Sequence, residues 1–315
     1  MLSVIVPVYR NEESVPMLLE ALGQIHAGAG GIEAVLVVDG SPDHSYERLR
    51  ELLPGQPYPS RLAVLSRNFG SFAAIRTGLG LATGDRFAVM AADLQEPPEL
   101  VLEMDQRLRK GDADVVLGVR EDRNDPFFSR ISASVFWAIY RRFVVHDMPS
   151  GGVDIFACNL AFRDQLLRLD ERHSSLIAQV FWLGFRRAYV PYVRRKRLHG
   201  RSAWTLSKKV EYLMDSVFSF TDLPMRLLVR LGGLVAVLAG LFGVVVAILR
   251  LSGFIAVPGY AALVLVVTFF GALNLFCLGL VGSYAWRTYE NTKARPLHIV
   301  MECQEFPGTE PRTSS

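Results

Sequence analysis

Two phosphate-binding signatures are missing from this sequence. No G-x-G-x-x-G follows its first apolar run, which argues against a dinucleotide dehydrogenase. No G-x-x-x-x-G-K-[ST] occurs, which argues against a P-loop NTPase. Cysteine is scarce. Cys158, Cys277 and Cys303 are far apart and odd in number, so they supply neither a disulfide framework nor metal-ligand spacing. Cys277 lies in an apolar segment, and a reducing cytoplasmic compartment fits. No cleavable leader is expected, because Met1 runs straight into Leu2-Ser3-Val4-Ile5-Val6-Pro7 without a basic start. Net charge is also small, +3, and its placement says more: Arg and Lys gather at 186–209 and 226–230.

What the chain has in excess is apolar residues. Half of its 315 residues are hydrophobic, and its mean hydropathy is +0.25. The excess sits between about 227 and 286, while the first two hundred residues have ordinary globular composition. The length suggests about two domains.

The N-terminal part alternates strand-like and helix-like runs. Residues 2–8, 34–38, 62–65, 87–91 and 113–119 read as strands. Helical spacing of Val15, Leu18, Leu19, Leu22 and Ile25 marks a helix over about 14–26, and another follows at about 71–82. This order implies a parallel sheet with right-handed crossovers. In such sheets ligands sit beyond the carboxyl ends of the strands. Each strand there delivers polar groups to one rim: Tyr9 and Glu12, Asp39, Arg67 and Asn68, Asp93, and Arg120. The key stretch is Ala91-Ala92-Asp93-Leu94-Gln95-Glu96-Pro97-Pro98-Glu99, where an apolar run ends in a carboxylate. Asp93 is either a ligand-facing group or a cap on the next helix. Hard oxygen donors on such a rim suit Mg²⁺ or Mn²⁺ beside a phosphorylated ligand. A further carboxylate, Asp154, is brought in by a flexible turn, Pro149-Ser150-Gly151-Gly152-Val153-Asp154.

Two amphipathic stretches come next. One, 127–143, reads either as a core-packing helix or as a helix on a membrane surface. The other, 204–222, follows the basic run Arg194 to Ser202 and precedes a charge-free segment. Nucleic acid is one reading of that run; phosphate and a membrane surface are favoured by its position. Spans at about 228–250 and 260–284 are long enough to cross a bilayer, which takes roughly 20 residues, with Pro258-Gly259 as the turn. Arg226 and Arg230 precede the first span, and Arg287, Lys293 and Arg295 follow the second, so both chain ends are expected in the cytoplasm. Domains are expected at 1–203 (catalytic), 204–226 (interfacial helix), 227–286 (two membrane helices) and 287–315 (cytoplasmic tail, disordered after about 304).

The motifs Val6-Pro7-Val8-Tyr9-Arg10-Asn11-Glu12, Val38-Asp39-Gly40-Ser41, Arg67-Asn68-Phe69-Gly70, Asp93 to Glu99, R-x-x-R-x-x-G-x-S from Arg194, Tyr289-Glu290 and Arg295-Pro296 occur in a specific order. In this the chain resembles the polyprenyl-phosphate glycosyltransferases of glycosyltransferase family 2. These are dolichol-phosphate mannose synthase-like enzymes, and they include bacterial undecaprenyl-phosphate sugar transferases with two C-terminal transmembrane helices. The resemblance implies an α/β GT-A fold: a Rossmann-like, mostly parallel sheet followed by amphipathic juxtamembrane helices and a two-helix transmembrane hairpin. It implies a nucleotide site at Pro7, Tyr9, Glu12, Asp39, Arg67, Asn68, Ala92 and Asp93, with Asp39 reading the base. Asp93 and Gln95 would hold Mg²⁺ or Mn²⁺ on the diphosphate, with Arg197 and Lys208 beside it. Arg120, Arg130 and Ser134 would meet the lipid phosphate, and Asp154 is the candidate base.

The implied reaction is inverting transfer of a sugar from a UDP-sugar, or alternatively a GDP-sugar, to undecaprenyl phosphate at the cytoplasmic membrane. A membrane flippase and a homo-oligomer are the implied partners, and nucleic acid is not one. Two departures stand out: Val38 and Ala91 replace residues that the family usually writes as aspartate. They favour an alternative, a non-catalytic membrane adaptor that binds nucleotide sugar or lipid phosphate. A processive synthase is disfavoured, because no Q-x-x-R-W motif is present.

Overall fold

The computed structural model describes residues 1–120, 141–142, 147–149, 152–171, 174–195, 214–221, 223–252 and 259–309. The chain forms two compact units, Met1–Tyr212 with Pro296–Ser315, and Leu213–Arg295.

The first unit is built on an eight-stranded sheet. Its strands are β1 (Leu2–Val8), β2 (Ile32–Val38), β3 (Ser60–Leu65), β4 (Arg86–Val89), β5 (Val115–Arg120), β6 (Val153–Asn159), β7 (Arg187–Tyr192) and β8 (Val300–Phe306), in spatial order β7-β5-β6-β4-β1-β2-β3-β8. The centre β4-β1-β2-β3 is parallel. Every residue of β2 is buried, as expected of a strand covered on both faces. Helices α1 (Val15–Ala29), α2 (Ser45–Leu52), α3 (Ser71–Leu81) and α4 (Pro98–Arg109) connect these strands or follow them. The spacing that marks α1 is the spacing it buries: Val15, Leu18, Leu19, Leu22 and Ile25 are all in the core. The helix ends at Gly30, whose φ of 71° gives the left-handed stop.

The sheet is mostly parallel, as expected, and its antiparallel part on one side comes from β6. β5 is not beside β4. β6 lies between them, antiparallel to both. Two reversals leave β5 running in the direction of β4, so Arg120 still reaches the same rim. Val153 and Asp154, read from sequence as part of a turn, belong to β6, and the Gly152 N–H donates to the Pro149 carbonyl at 3.0 Å. β7 pairs parallel with β5, matching Arg120 to Tyr192. Helices α5 (Leu160–Arg168) and α6 (Leu176–Trp182) lie between β6 and β7.

β8 pairs antiparallel with β3 from Val300 to Phe306. The tail expected to be disordered after about 304 is therefore ordered through Phe306, and it covers what would be an open edge of β3.

In the second unit, residues 214–220 are helical, and α7 (Leu223–Leu251) and α8 (Tyr260–Thr292) follow. Within α8, Phe269–Thr292 is long and apolar enough to cross a membrane. Near its end Arg287 pairs with Asp215 at 2.8 Å, and the Phe218 and Tyr284 rings meet at 5.0 Å. The stretch 121–140, and with it Arg130 and Ser134, lies outside the described residues, as do Arg197 and Lys208.

Candidate active site

The site is built from loops at the carboxyl ends of β1, β2, β3 and β4, and from the corner of β5, β6 and β7. Asp43 ties the first two loops together. Its Oδ1 accepts from Ser41 Oγ (2.5 Å) and Ser45 Oγ (2.8 Å), and its Oδ2 from the Glu12 N–H (3.1 Å). Burial works to raise its pKa, but these hydrogen bonds outweigh it and hold the carboxyl below its ordinary value. Glu12 returns the contact, accepting from the His44 N–H at 3.2 Å. Tyr9, whose N–H donates to Asn11 Oδ1 at 3.1 Å, stands on this braced loop. Pro7 is in β1, opposite Val37.

Asp39 is 2% exposed. Its oxygens accept from the Phe69 N–H (2.7 Å) and the Gly70 N–H (2.9 Å), just before α3 begins at Ser71. Asp39 thus fixes the Arg67–Gly70 loop, a duty the motif alone does not reveal. Gly40 permits the close approach: at φ +55°, a Cβ there would sit 2.4 Å from the Arg67 backbone. Arg67 lies over the Phe69 ring at 4.0 Å, and Arg67 and Asn68 are both exposed. Val38 is a buried core residue of β2.

The turn after β4 carries Asp93. The next helix is capped by Pro97 with Pro98 at its first position, so Asp93 is not the helix cap. Instead its Oδ1 accepts from the Gln95 N–H at 3.3 Å. Ala91 closes the same turn, its carbonyl accepting from the Leu94 N–H at 3.3 Å, with Leu94 at φ 55°. Ala92 is buried beneath. Gln95 is held by the segment after β7: its Oε1 accepts from Arg194 Nη2, and its carbonyl accepts from the Arg195 N–H at 2.9 Å.

At the corner, Arg120 Nε and the Tyr192 hydroxyl (2.7 Å) both donate to Asp154 Oδ2. Gly118 packs closely on β6, since a Cβ there would lie 3.1 Å from the Ile155 side chain. Burial works against the charge on Arg120, yet the neighbouring Asp154 raises its pKa above the ordinary value. Burial first, then Asp154 and Glu96, push the Tyr192 hydroxyl up as well. Among the described residues, both contacts to Asp154 fall on one oxygen.

Glu96 joins the two halves. It is 2% exposed, and its Oε2 is buried with no hydrogen-bond partner among the described residues. Burial, with Asp154 and Asp93 adding to it, pushes its carboxyl up to about 7, against the opposing charge of Arg194. Glu96, Tyr192 and Arg194 were given no role from sequence, although Arg194 opens the quoted R-x-x-R-x-x-G-x-S motif. Glu96 lay unassigned inside the quoted motif. Pro191 disguised β7, although buried Val190 and Tyr192 alternate with exposed Tyr189 and Pro191 as an edge strand requires.

The implied divalent cation can be tested against these donors. Among the described residues, no three Asp, Glu, His or Cys side chains form a cage. Mg²⁺ commonly takes one or two carboxylates and completes its shell with substrate phosphates and water. Asp93 on an open rim fits that pattern. Gln95 fits only when its amide oxygen is released by Arg194.

Residues 3–169 match the family described as Glycosyl transferase family 2. The chain is 33% identical over 305 residues to the uncharacterized glycosyltransferase YkcC of Bacillus subtilis (strain 168), covering 95% of this chain and 93% of the relative. It is 29% identical over 310 residues to an undecaprenyl-phosphate 4-deoxy-4-formamido-L-arabinose transferase of Klebsiella pneumoniae (strain 342), covering 98% and 94%. The fold is shared with glucosyl-3-phosphoglycerate synthase of Mycobacterium tuberculosis, at a TM-score of 0.51 and 15% identity, over 70% of this chain and 80% of that one. With more than half of the chain matching the family and a relative 33% identical over 95% of it, this protein belongs to glycosyl transferase family 2.

Proposed function

We propose that the chain transfers a sugar from a nucleoside-diphosphate sugar, with UDP favoured over GDP, to polyprenyl phosphate, inverting the anomeric carbon in one displacement. The observation that carries this reading is the end of β7: the Tyr192 hydroxyl donates to Asp154, and the residues just beyond it, Arg194 and Arg195, donate to Gln95 two residues from Asp93. A donor-side carboxylate and an acceptor-side ion pair therefore belong to one cluster. The relative named for undecaprenyl-phosphate chemistry aligns over nearly the whole chain, which supports the acceptor.

A phosphate monoester has a second pKa near ~6, so the attacking oxygen is largely ionised at neutral pH. It forms the new C–O bond as the bond to the nucleoside diphosphate breaks. No strong base is required. Asp154 is poorly suited to be one, because Oδ2 already accepts from Arg120 and Tyr192. Its role is to aim Arg120, whose remaining N–H groups match phosphate oxygens. Mg²⁺ or Mn²⁺ on Asp93 and the diphosphate would offset charge on the leaving group. Arg197 and Lys208, by motif, would add to this, and Arg130 and Ser134 would join Arg120.

A membrane hairpin of α7 and α8 is supported by parity. β8 follows α8 yet belongs to the same sheet as β1. If α8 crosses a bilayer, the chain must cross it an even number of times between Tyr212 and Pro296. The basic residues at the ends of the pair favour a cytoplasmic side for the catalytic unit.

The test is a panel of UDP- and GDP-sugars with undecaprenyl phosphate in detergent, followed by mass spectrometry of the lipid. A lipid gaining one sugar mass supports the reading. Donor and lipid binding with no product from any sugar supports the adaptor that Ala91 and Val38 favour.

A further inference from the structure

Residues 194 and 195 are strapped to the turn that carries Asp93. Arg194 Nη2 donates to Gln95 Oε1, the Arg195 N–H donates to the Gln95 carbonyl at 2.9 Å, and Gln95 Nε2 donates to the Arg195 carbonyl at 3.4 Å. Arg195 also pairs with Glu99 at 3.3 Å. Arg194 is only half used by this strap, since its Nε is buried without a hydrogen-bond partner among the described residues.

We propose that Arg194 is a positioning residue that exchanges partners as the donor binds: the divalent cation takes the Gln95 amide oxygen, and Arg194 moves from that oxygen to the nucleotide's diphosphate. The inference rests on Asp93 and Gln95 as cation donors, and it adds a named competitor for one of them. A guanidinium and a divalent cation sharing one amide oxygen would stand about 4 Å apart, where like charges repel strongly in a partly buried site. Gln95 therefore serves one of them at a time. An incoming diphosphate would give the displaced guanidinium a fully charged partner, and Nε, which has no hydrogen-bond partner among the described residues, supplies a second prong for a forked contact. The exchange leaves the guanidinium hydrogen-bonded before and after, first to a neutral amide and then to an anion. The rest of the strap need not change: the Gln95 carbonyl and Nε2 remain bonded to Arg195 while Oε1 changes hands.

The exchange has a sign that a structural role lacks. Losing Arg194 frees Gln95 for the cation and also removes a diphosphate contact. In full-length protein in detergent, Mn²⁺ alone, followed by the electron paramagnetic resonance of the free ion, is expected to bind R194Q about 10-fold more tightly than wild type. UDP at saturating Mn²⁺ is expected to bind R194Q about 10-fold more weakly. In the Q95A background the gain in Mn²⁺ affinity is expected to vanish. Weakening of both ligands, no change in either, or an equal Mn²⁺ gain with and without Gln95 overturns the proposal. R194M repeats the test if R194Q does not purify folded. D93N separates the layers: loss of Mn²⁺ binding in D93N with no gain in R194Q removes the exchange alone, whereas unchanged Mn²⁺ binding in D93N removes the cation reading beneath it.

Discussion

Arg120 at the end of β5 and Asp154 at the start of β6 are ion-paired across two adjacent antiparallel strands, and the Tyr192 hydroxyl bonds the same Asp154 oxygen at 2.7 Å. The pair is partly buried, with side chains 16% and 28% exposed. Asp154→Asn keeps an acceptor for Tyr192 but cannot hold Arg120 by charge. Turnover is expected to fall about 10²-fold, the size typical of losing one preorganised electrostatic contact, with donor affinity unchanged. Tyr192→Phe is expected to cost less, about 10-fold, because the ion pair survives. Steady-state kinetics on both substrates checks this. Unchanged turnover in Asp154→Asn would remove Asp154 from the machinery.

Asp93 stands on an open turn and is not the helix cap. Asp93→Asn keeps an acceptor for the Gln95 N–H, so the turn is expected to survive. Divalent-cation dependence and nearly all transfer are expected to disappear together, as when wild type is treated with a chelator. A titration of activity against Mn²⁺ checks it. A normal Mn²⁺ response in the variant would move the cation elsewhere.

The central sheet, α1 and the rim were legible because β-branched runs and helical spacing report burial directly. Val4, Leu36 and Leu22 are where their patterns put them, in the core. What stayed hidden depends on long-range pairing. Nothing local distinguishes a strand beside β4 from one displaced by β6, because Val116 is buried either way. β8 was hidden because its side chains are mostly exposed, so it carries no burial pattern. Asp39 looked like a ligand residue alone, since its loop partners Phe69 and Gly70 lie 30 and 31 residues away.

Glu96 gives the site a pH signature in stability. Its carboxyl rises from 4.5 to about 7 in the folded chain. The folded state therefore favours the proton. That contribution is complete below about pH 4.5, declines as pH rises, and is lost once pH passes about 7. The span is worth about 3 kcal/mol. Glu96→Gln mimics the protonated form. It is expected to raise the apparent Tm by about 5 °C at pH 8.5 and to leave it unchanged at pH 4.5. Thermal unfolding of the detergent-purified protein at the two pH values checks it. An equal shift at both would show that the carboxyl is not the strained group.

Topology can be read from two thiol positions. Cys303 lies on β8, exposed, while Cys158 is buried and Cys277 is within α8. Ser252, exposed, directly follows α7. If α7 and α8 both cross the bilayer, Ser252→Cys and Cys303 lie on opposite sides, and Cys303 shares the side of the catalytic sheet because β8 is hydrogen-bonded to β3. The Cys303 thiol is raised by burial, with Arg61 opposing, so labelling is slow near neutrality and is best done at pH 8.5. With Cys277 replaced by Ser, an impermeant maleimide is expected to label Cys303 in inside-out vesicles and Ser252→Cys only in intact spheroplasts. Labelling of both from the cytoplasmic side would mean zero crossings, with the helices lying on the surface. Labelling of Cys303 from outside alone would put the sheet on the outer face, where no cytosolic nucleotide sugar could reach Asp93.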